Sequence, residues 1–232
     1  MNSKQVIKEI NSVIRPVLIE NGFDKFSGQT YWRYLSDRID ILKFKVFKSY
    51  VSGHTSFSIH LSTILIYIPS QSEIKTEDEI KKPTEAQGHF RSGIIKDIEQ
   101  SKLPNVYIWS INNEGSNLSE CIADSKNQIL KDGFDWFKKF ESKENVLRIL
   151  QNKMDISDTW GFGNLDSPVR NELTAYTAFE LGKMKFAIEK LNKVYDFYNE
   201  KFILSKSQYY KEKMERTEQE ISRIKDYRRT KN

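Results

Sequence analysis

The residues able to do acid–base, nucleophilic or metal chemistry are few. The three histidines are His54, His60 and His89. A transition-metal site needs three or four ligands converging on one point. His54 and His60 share a face of one extended stretch, but at roughly 3.3 Å per residue they lie about 20 Å apart. No HxH, HxxxH or HExxH spacing occurs, so no metal is expected. The single cysteine, Cys121, excludes an internal disulfide and a multi-cysteine zinc site. It falls on an apolar helical position near a helix start, which reads as a buried thiol rather than a nucleophile. Asp37 and Asp40 flank a turn, where carboxylates serve turn geometry more often than catalysis. Gly161-Phe162-Gly163 is no phosphate loop, because neither GxGxxG nor GKS or GKT appears. No cofactor is expected. The one enzymatic reading left is a hydrolase using His89 and Arg91.

Recognition chemistry is better represented. Tyr31, Arg33, Lys43, Lys45, Phe47, His60, Arg91 and Trp109 interleave aromatic with basic residues along candidate strands. Such a face can stack bases and neutralise phosphates. The simpler alternative is that one face packs the core and helices cover the other. Trp32, Arg33, His89, Arg91 and Trp109 form the candidate binding set, with Trp32 and Trp109 as anchors for a protein partner. The second candidate is the tail. Residues 206–232 carry nine Lys/Arg and five Asp/Glu, which accounts for +4 of the net +5. Arg223, Lys225, Arg228, Arg229 and Lys231 are its basic end. A basic tail suits nucleic acid or an acidic partner, although interleaved glutamates also mark a solvated helix face.

The secondary structure around these residues follows from periodicity. The chain has 232 residues, 38% hydrophobic and 12% aromatic, enough for a sizeable core and too apolar for a disordered chain. Residues 3–20 repeat apolar side chains at 3–4 spacing and predict a helix, with Ser3 as N-cap, Asn21-Gly22 as stop and Pro16 disturbing its last turn. Residues 29–35, 39–49 and 55–68 alternate as strands of an antiparallel meander with one buried face. Residues 69–86 are a polar loop, and 87–98 and 105–112 read as two more strands. Helices follow from 116–117, with a break or bend at Asp132-Gly133, and again after Ser142. Residues 155–169 contain two Gly and a Pro and predict a linker. Helices are expected over about 170–181, 184–202 and 205–230, turning at Gly182-Lys183. Running from just before the last of these into it, Ile203, Ser207, Tyr210, Met214, Thr217, Ile221 and Ile224 form a 3–4 seam that docks either on the body or on a second copy. The expected fold is therefore α+β: an N-terminal helix, a mostly antiparallel five-stranded sheet with helices on one face, and a helical C-terminal extension. The expected division is 1–154, a linker 155–169 and an extension 170–232.

The stretch VIRPVLIENGFDKFSGQTYWRYL resembles the start of a bacterial family, domain of unknown function 4304. Leu18, Gly22, Phe23, Tyr31, Trp32 and Arg33 carry the likeness. FSIHL, His89 to Gly93, VYIWSI with Trp109, and the DGFDWFKKFES segment from Asp132 to Ser142 are similar to its later blocks. The resemblance covers about residues 4–153 and implies a fold type without an activity.

Charges at Lys4, Lys8, Glu9, Arg15 and Glu20 interrupt any apolar signal core, and the best apolar run, Ile64 to Ile68, is far short of the roughly 18 residues a span requires. A cytoplasmic protein with no membrane partner is expected. The expected function is a non-enzymatic protein-binding module. Nucleic-acid binding through the tail is the alternative, and a homodimer through 203–228 is a further expectation.

Overall fold

The computed structural model describes residues 2–48, 53–69, 82–98, 106–152 and 165–231, the last four of these by backbone alone. The chain forms two compact units, one of Met1–Ile66 with Ser72–Lys138, the other of Tyr67–Gln71 with Lys139–Asn232. The expected strand start at 105 and most of the expected linker lie outside the described residues.

The first unit opens with helix α1 (Ser3–Val13) and the short helix α2 (Arg15–Glu20). Pro16, which has no N–H to donate, divides them at Ile14. The N-cap is Asn2 rather than the expected Ser3. Its side chain accepts from the Gln5 amide, and the Gln5 side chain returns the bond to the Asn2 amide. Gly22 stops α2 at φ +85°, with its amide on Ile19 O and that of Phe23 on Leu18 O. A side chain there would also press on Arg33 Cδ.

Among the described residues six antiparallel strands follow: β1 (Lys25–Ser27), β2 (Thr30–Tyr34), β3 (Arg38–Lys48), β4 (Thr55–Leu65), β5 (Phe90–Gly93) and β6 (Trp109–Ile111). They run in the order β1-β2-β3-β4-β5. β5 pairs with one end of β4 and β6 with the other. β1 is the strand that periodicity missed, since its three residues are all exposed and carry no alternation.

Register fixes the two faces. Tyr31 and Arg33 stand opposite Leu42 and Asp40, which stand opposite Leu61 and Thr63. Phe44, Phe57, Ile59, Phe90 and Trp109 share that face. It is the core face, packed by α1 and by α3 (Leu118–Gln128). The Tyr31 hydroxyl donates to Asn11 Oδ1 of α1 at 2.7 Å. After α3 the helix does not break at Asp132-Gly133. It passes through one wide π turn (Ile129–Gly133) into α4 (Phe134–Lys138). Gly133 is small because Ile94 Cδ1 lies 3.0 Å from where its Cβ would be. Phe137 of α4 closes on Phe23 with ring centroids 5.3 Å apart.

The second unit is helical: α5 (Lys143–Gln151), α6 (Pro168–Glu180), α7 (Met184–Ser205) and α8 (Gln208–Lys231). Ser142 caps α5 as expected, accepting from the Asn145 amide. Arg170, 3% exposed, caps the other end. Its Nε donates to Leu150 O, and Nη2 to Ile149 O and Asn152 O. A guanidinium placed on a helix C-terminus meets carbonyls that have no helical partner and the negative end of the dipole. Gly182, at φ +71°, turns α6 into α7. α8 packs back along this hairpin. Ile221 and Ile224 are buried with Leu191, Ala178 and Leu147, and Tyr227 meets Phe179 edge to face.

Candidate functional site

The predicted anchors are core residues. Trp109 is fully buried, stacked on Phe57 at 5.2 Å, and its indole N–H donates to Asp124 Oδ2 at 2.7 Å. Trp32 is 4% exposed. It lies on the opposite face in a cluster with Ile39, Ile41 and Ile64, and its N–H donates to Pro83 O at 2.8 Å. Aromatic side chains with a satisfied polar edge and almost no accessible surface pack the fold.

Arg33 sits in a buried ion cluster. Its Nη2 and Nε donate to Asp40 Oδ2 at 2.8 and 3.1 Å, Nη1 donates to Asn21 O, and the guanidinium lies over the Phe23 ring. Arg38 Nε and Thr63 Oγ1 both donate to Asp40 Oδ1. Burial pushes the Asp40 carboxyl above its ordinary range, against the pull of Arg38 and Arg33. This is a costly, fully engaged structural cluster rather than a proton-transfer pair.

His89 is structural as well. Its Nδ1 accepts the Leu65 amide at 2.9 Å, so the proton of the neutral ring is on Nε2 and the single lone pair is occupied. Burial pushes its pKa down to about 4. A histidine held this way is no general base. It does make stability pH-dependent: the folded pKa lies below the unfolded value near 6.5, so the unfolded state takes up a proton first on acidification. Its stability contribution is complete above pH 6.5 and is lost as pH falls toward about 4. We expect urea stability to drop by about 2 kcal/mol between pH 7 and pH 5 from this group. His89→Asn, whose Oδ1 can accept the same amide, should flatten that interval. A variant with the wild-type pH slope would overturn the assignment.

The expected aromatic-basic face divides in two. Tyr31, Arg33 and Trp109 point into the core, whereas Lys43, Lys45, Phe47, His60 and Arg91 occupy the other face. There Lys43 stands opposite His60, Lys45 opposite Ser58, and Ser62 opposite Arg91. The Ser58 hydroxyl and His60 Nε2 are 3.0 Å apart, and burial lowers the His60 pKa, which favours the neutral ring. The 3₁₀ turn Glu85–Gln87 lies over this row. Ser62 Oγ donates to Glu85 O, and Lys43 Nζ binds Glu85 Oε2 at 2.8 Å. Burial works to raise the Glu85 carboxyl, but the bound Lys43 ammonium, a backbone hydrogen bond and nearby His60 together leave the group below its ordinary range. Arg91 Nε is buried without a hydrogen-bond partner. The face is polar and mildly basic, but Glu85 already neutralises Lys43. Cys121, fully buried on α3, directs its thiol to Ser110 O. Among the described residues no group of three His, Cys, Asp or Glu could hold a metal ion.

In the second unit, the predicted seam is covered by the chain's own helices. Thr217, Ile221 and Ile224 are buried, Ser207, Tyr210 and Met214 are half-buried, and Ile203 is exposed because α7 ends at Ser205 and a turn breaks the heptad. Arg223 pairs with Glu220 at 2.9 Å and lies over the Phe179 ring. Lys225 is exposed, and Arg228, Arg229 and Lys231 lie beyond the residues whose side chains are described. The feature the heptad reading missed is the α7–α8 turn itself, where Ile203, Leu204 and Tyr209 are 56%, 80% and 54% exposed. The signal was present in KFILSKSQYYK, whose apolar residues run consecutively instead of following one helical stripe.

The fold defines an α+β protein with an antiparallel sheet backed by helices on its core face. The model of the family described as Domain of unknown function (DUF4304) matches residues 14–139, more than half of the chain, and the chain belongs to that family. The match is shorter at both ends than the expected 4–153 and leaves the exposed helical turn outside it. Neither the curated proteins nor the solved structures returned a match. Among the described residues no helix is long and apolar enough to cross a membrane.

Proposed function

We propose that this protein is a non-enzymatic binding module whose recognition surface is the end of the α7–α8 hairpin. The observation that carries this reading is Leu204, 80% exposed beside Ile203 at 56%. Adjacent exposed aliphatic side chains are unfavourable in water unless something covers them. The family-like unit offers less, since its anchoring aromatics are engaged in the core. The paired variant Ile203→Ser/Leu204→Ser tests the reading. Circular dichroism and the thermal midpoint should stay at wild-type values, while retention of host macromolecules in an affinity capture falls at least tenfold. Undiminished capture by a folded variant would reject this surface.

The surplus positive charge of residues 206–232 supports nucleic-acid binding as a second reading. Binding would then fall steeply with salt, disappear on nuclease treatment, and weaken when Lys225, Arg228, Arg229 and Lys231 are changed to Ala. Salt-independent or nuclease-resistant recovery would reject it.

A further inference from the structure

We propose that the α7–α8 turn is a membrane-surface wedge that inserts Ile203 and Leu204 into the headgroup region of an anionic phospholipid bilayer. The inference rests on the hairpin end being the recognition surface and names what it meets. Charge supplies the first argument. Between Glu200 and Glu212 the chain carries Lys201, Lys206 and Lys211 and no carboxylate. Lys211 also pairs with Glu215 at 3.7 Å, and a second basic run, Arg228, Arg229 and Lys231, closes α8, so Lys201 and Lys206 are the cations that flank the exposed apolar pair without an ion pair among the described residues. Lys206 Nζ lies 5.6 Å from the Phe202 ring and Lys213 Nζ 5.7 Å from that of Tyr209. Long lysine stems can lie along apolar surface while their ammonium groups reach phosphate.

Shape supplies the second argument. A helix that docks in a protein groove presents apolar residues at i, i+3, i+4 and i+7 along one side. Here Ile203 and Leu204 are consecutive and Tyr209 belongs to the next helix, so the exposed apolar residues lie on both sides of the turn instead of along one stripe. An exposed apolar turn without such a stripe suits a fluid surface that closes around each side chain. The cap is also firmly built. Lys206 takes the left-handed conformation at φ 53°, its amide bonds Phe202 O at 2.8 Å, and Ser205 Oγ accepts the Ser207 amide while donating to Lys201 O. α7 has 22 residues against 13 in α6, so at 1.5 Å per residue the hairpin runs about 13 Å past the start of α6. With no membrane-spanning helix among the described residues, the attachment is peripheral.

The test is sedimentation of the full chain with vesicles of phosphatidylcholine alone and of phosphatidylcholine with 30% phosphatidylglycerol, about 0.1 M salt, a composition chosen to give an anionic surface. We expect binding to the anionic vesicles, at least tenfold weaker binding to the neutral ones, and a decline with added salt. Each lysine near an anionic surface is worth roughly fivefold in affinity, so Lys201→Ala/Lys206→Ala/Lys211→Ala should weaken binding about 100-fold. Ile203→Ser/Leu204→Ser should weaken it more than tenfold while leaving circular dichroism unchanged. Absence of sedimentation with either vesicle, equal binding to both, or indifference to the two variants would overturn the inference. In that event, if the Ile203→Ser/Leu204→Ser variant still lost a soluble partner or a concentration-dependent dimer seen with wild type, the hairpin would stand as a binding surface for a protein or a second copy. If it lost neither, the binding-module reading would fall as well.

Discussion

Replacing Asp40 with Ala should destabilise the first unit by about 3–5 kcal/mol. Asp40 is fully buried and is the carboxylate shared by Arg33 and Arg38, whose side chains are 21% and 7% exposed. Taking it away strands two guanidinium groups and the Thr63 hydroxyl where water cannot replace the lost partner. Asp37, 3.5 Å from Arg38, compensates only one of them. The assembled cluster is not a strong net source of stability, because burial works against the Asp40 charge and the ion pairs largely offset that cost. The asymmetry is testable. Asp40→Leu with Arg33→Met and Arg38→Leu should recover most of the loss, since apolar residues carry no desolvation penalty. Urea unfolding followed by tryptophan fluorescence measures both, as Trp32, Trp109 and Trp136 report on this unit. A loss below about 1 kcal/mol for Asp40→Ala would show that water enters the cluster.

Trp109→Ala should cost a similar amount, about 3–5 kcal/mol. The substitution empties a fully buried volume, removes the stack on Phe57 and leaves Asp124 Oδ2 with only the longer bond from the Asp97 amide. Trp109→Phe keeps a ring on Phe57 and isolates the lost hydrogen bond, for which about 1–3 kcal/mol is expected. Alanine variants retaining the wild-type urea midpoint would contradict the packing. The result bears directly on function. If Trp109 were a partner anchor, its loss would abolish binding and spare the fold. The structure predicts the reverse order of events: the fold weakens first, and any loss of binding follows from that.

Much of the architecture was legible in the chain. The alternation of Leu42, Phe44 and Val46 against Lys43, Lys45 and Phe47 identified the faces of β3, and the same pattern in Phe57, Ile59 and Leu61 identified β4. Ser142 and Gly182 marked the helix ends that the structure shows. These are local signals, set by side-chain period and by capping chemistry, and they survive in any compact fold. What was not legible involved partners distant in sequence. Tyr31, Arg33 and Trp109 were grouped with Lys43 and His60 because spacing within one strand says nothing about which neighbour it faces. Pairing Tyr31 with Leu42 and Trp109 with Phe57 places them on the core side. His89 looked like a catalytic candidate because its lone pair goes to an amide 24 residues away.

The α+β composition, the antiparallel meander, the family and the concentration of charge in the last helix could all be read along the chain, because each depends on residues close together in it. Tertiary structure alone decided that the aromatics thought to anchor a partner are core, that the heptad seam is covered from within, and that Ile203 and Leu204 are left in water. The reason is physical: burial is a property of the whole packed unit, so an apolar residue reads the same in sequence whether a neighbour covers it or none does.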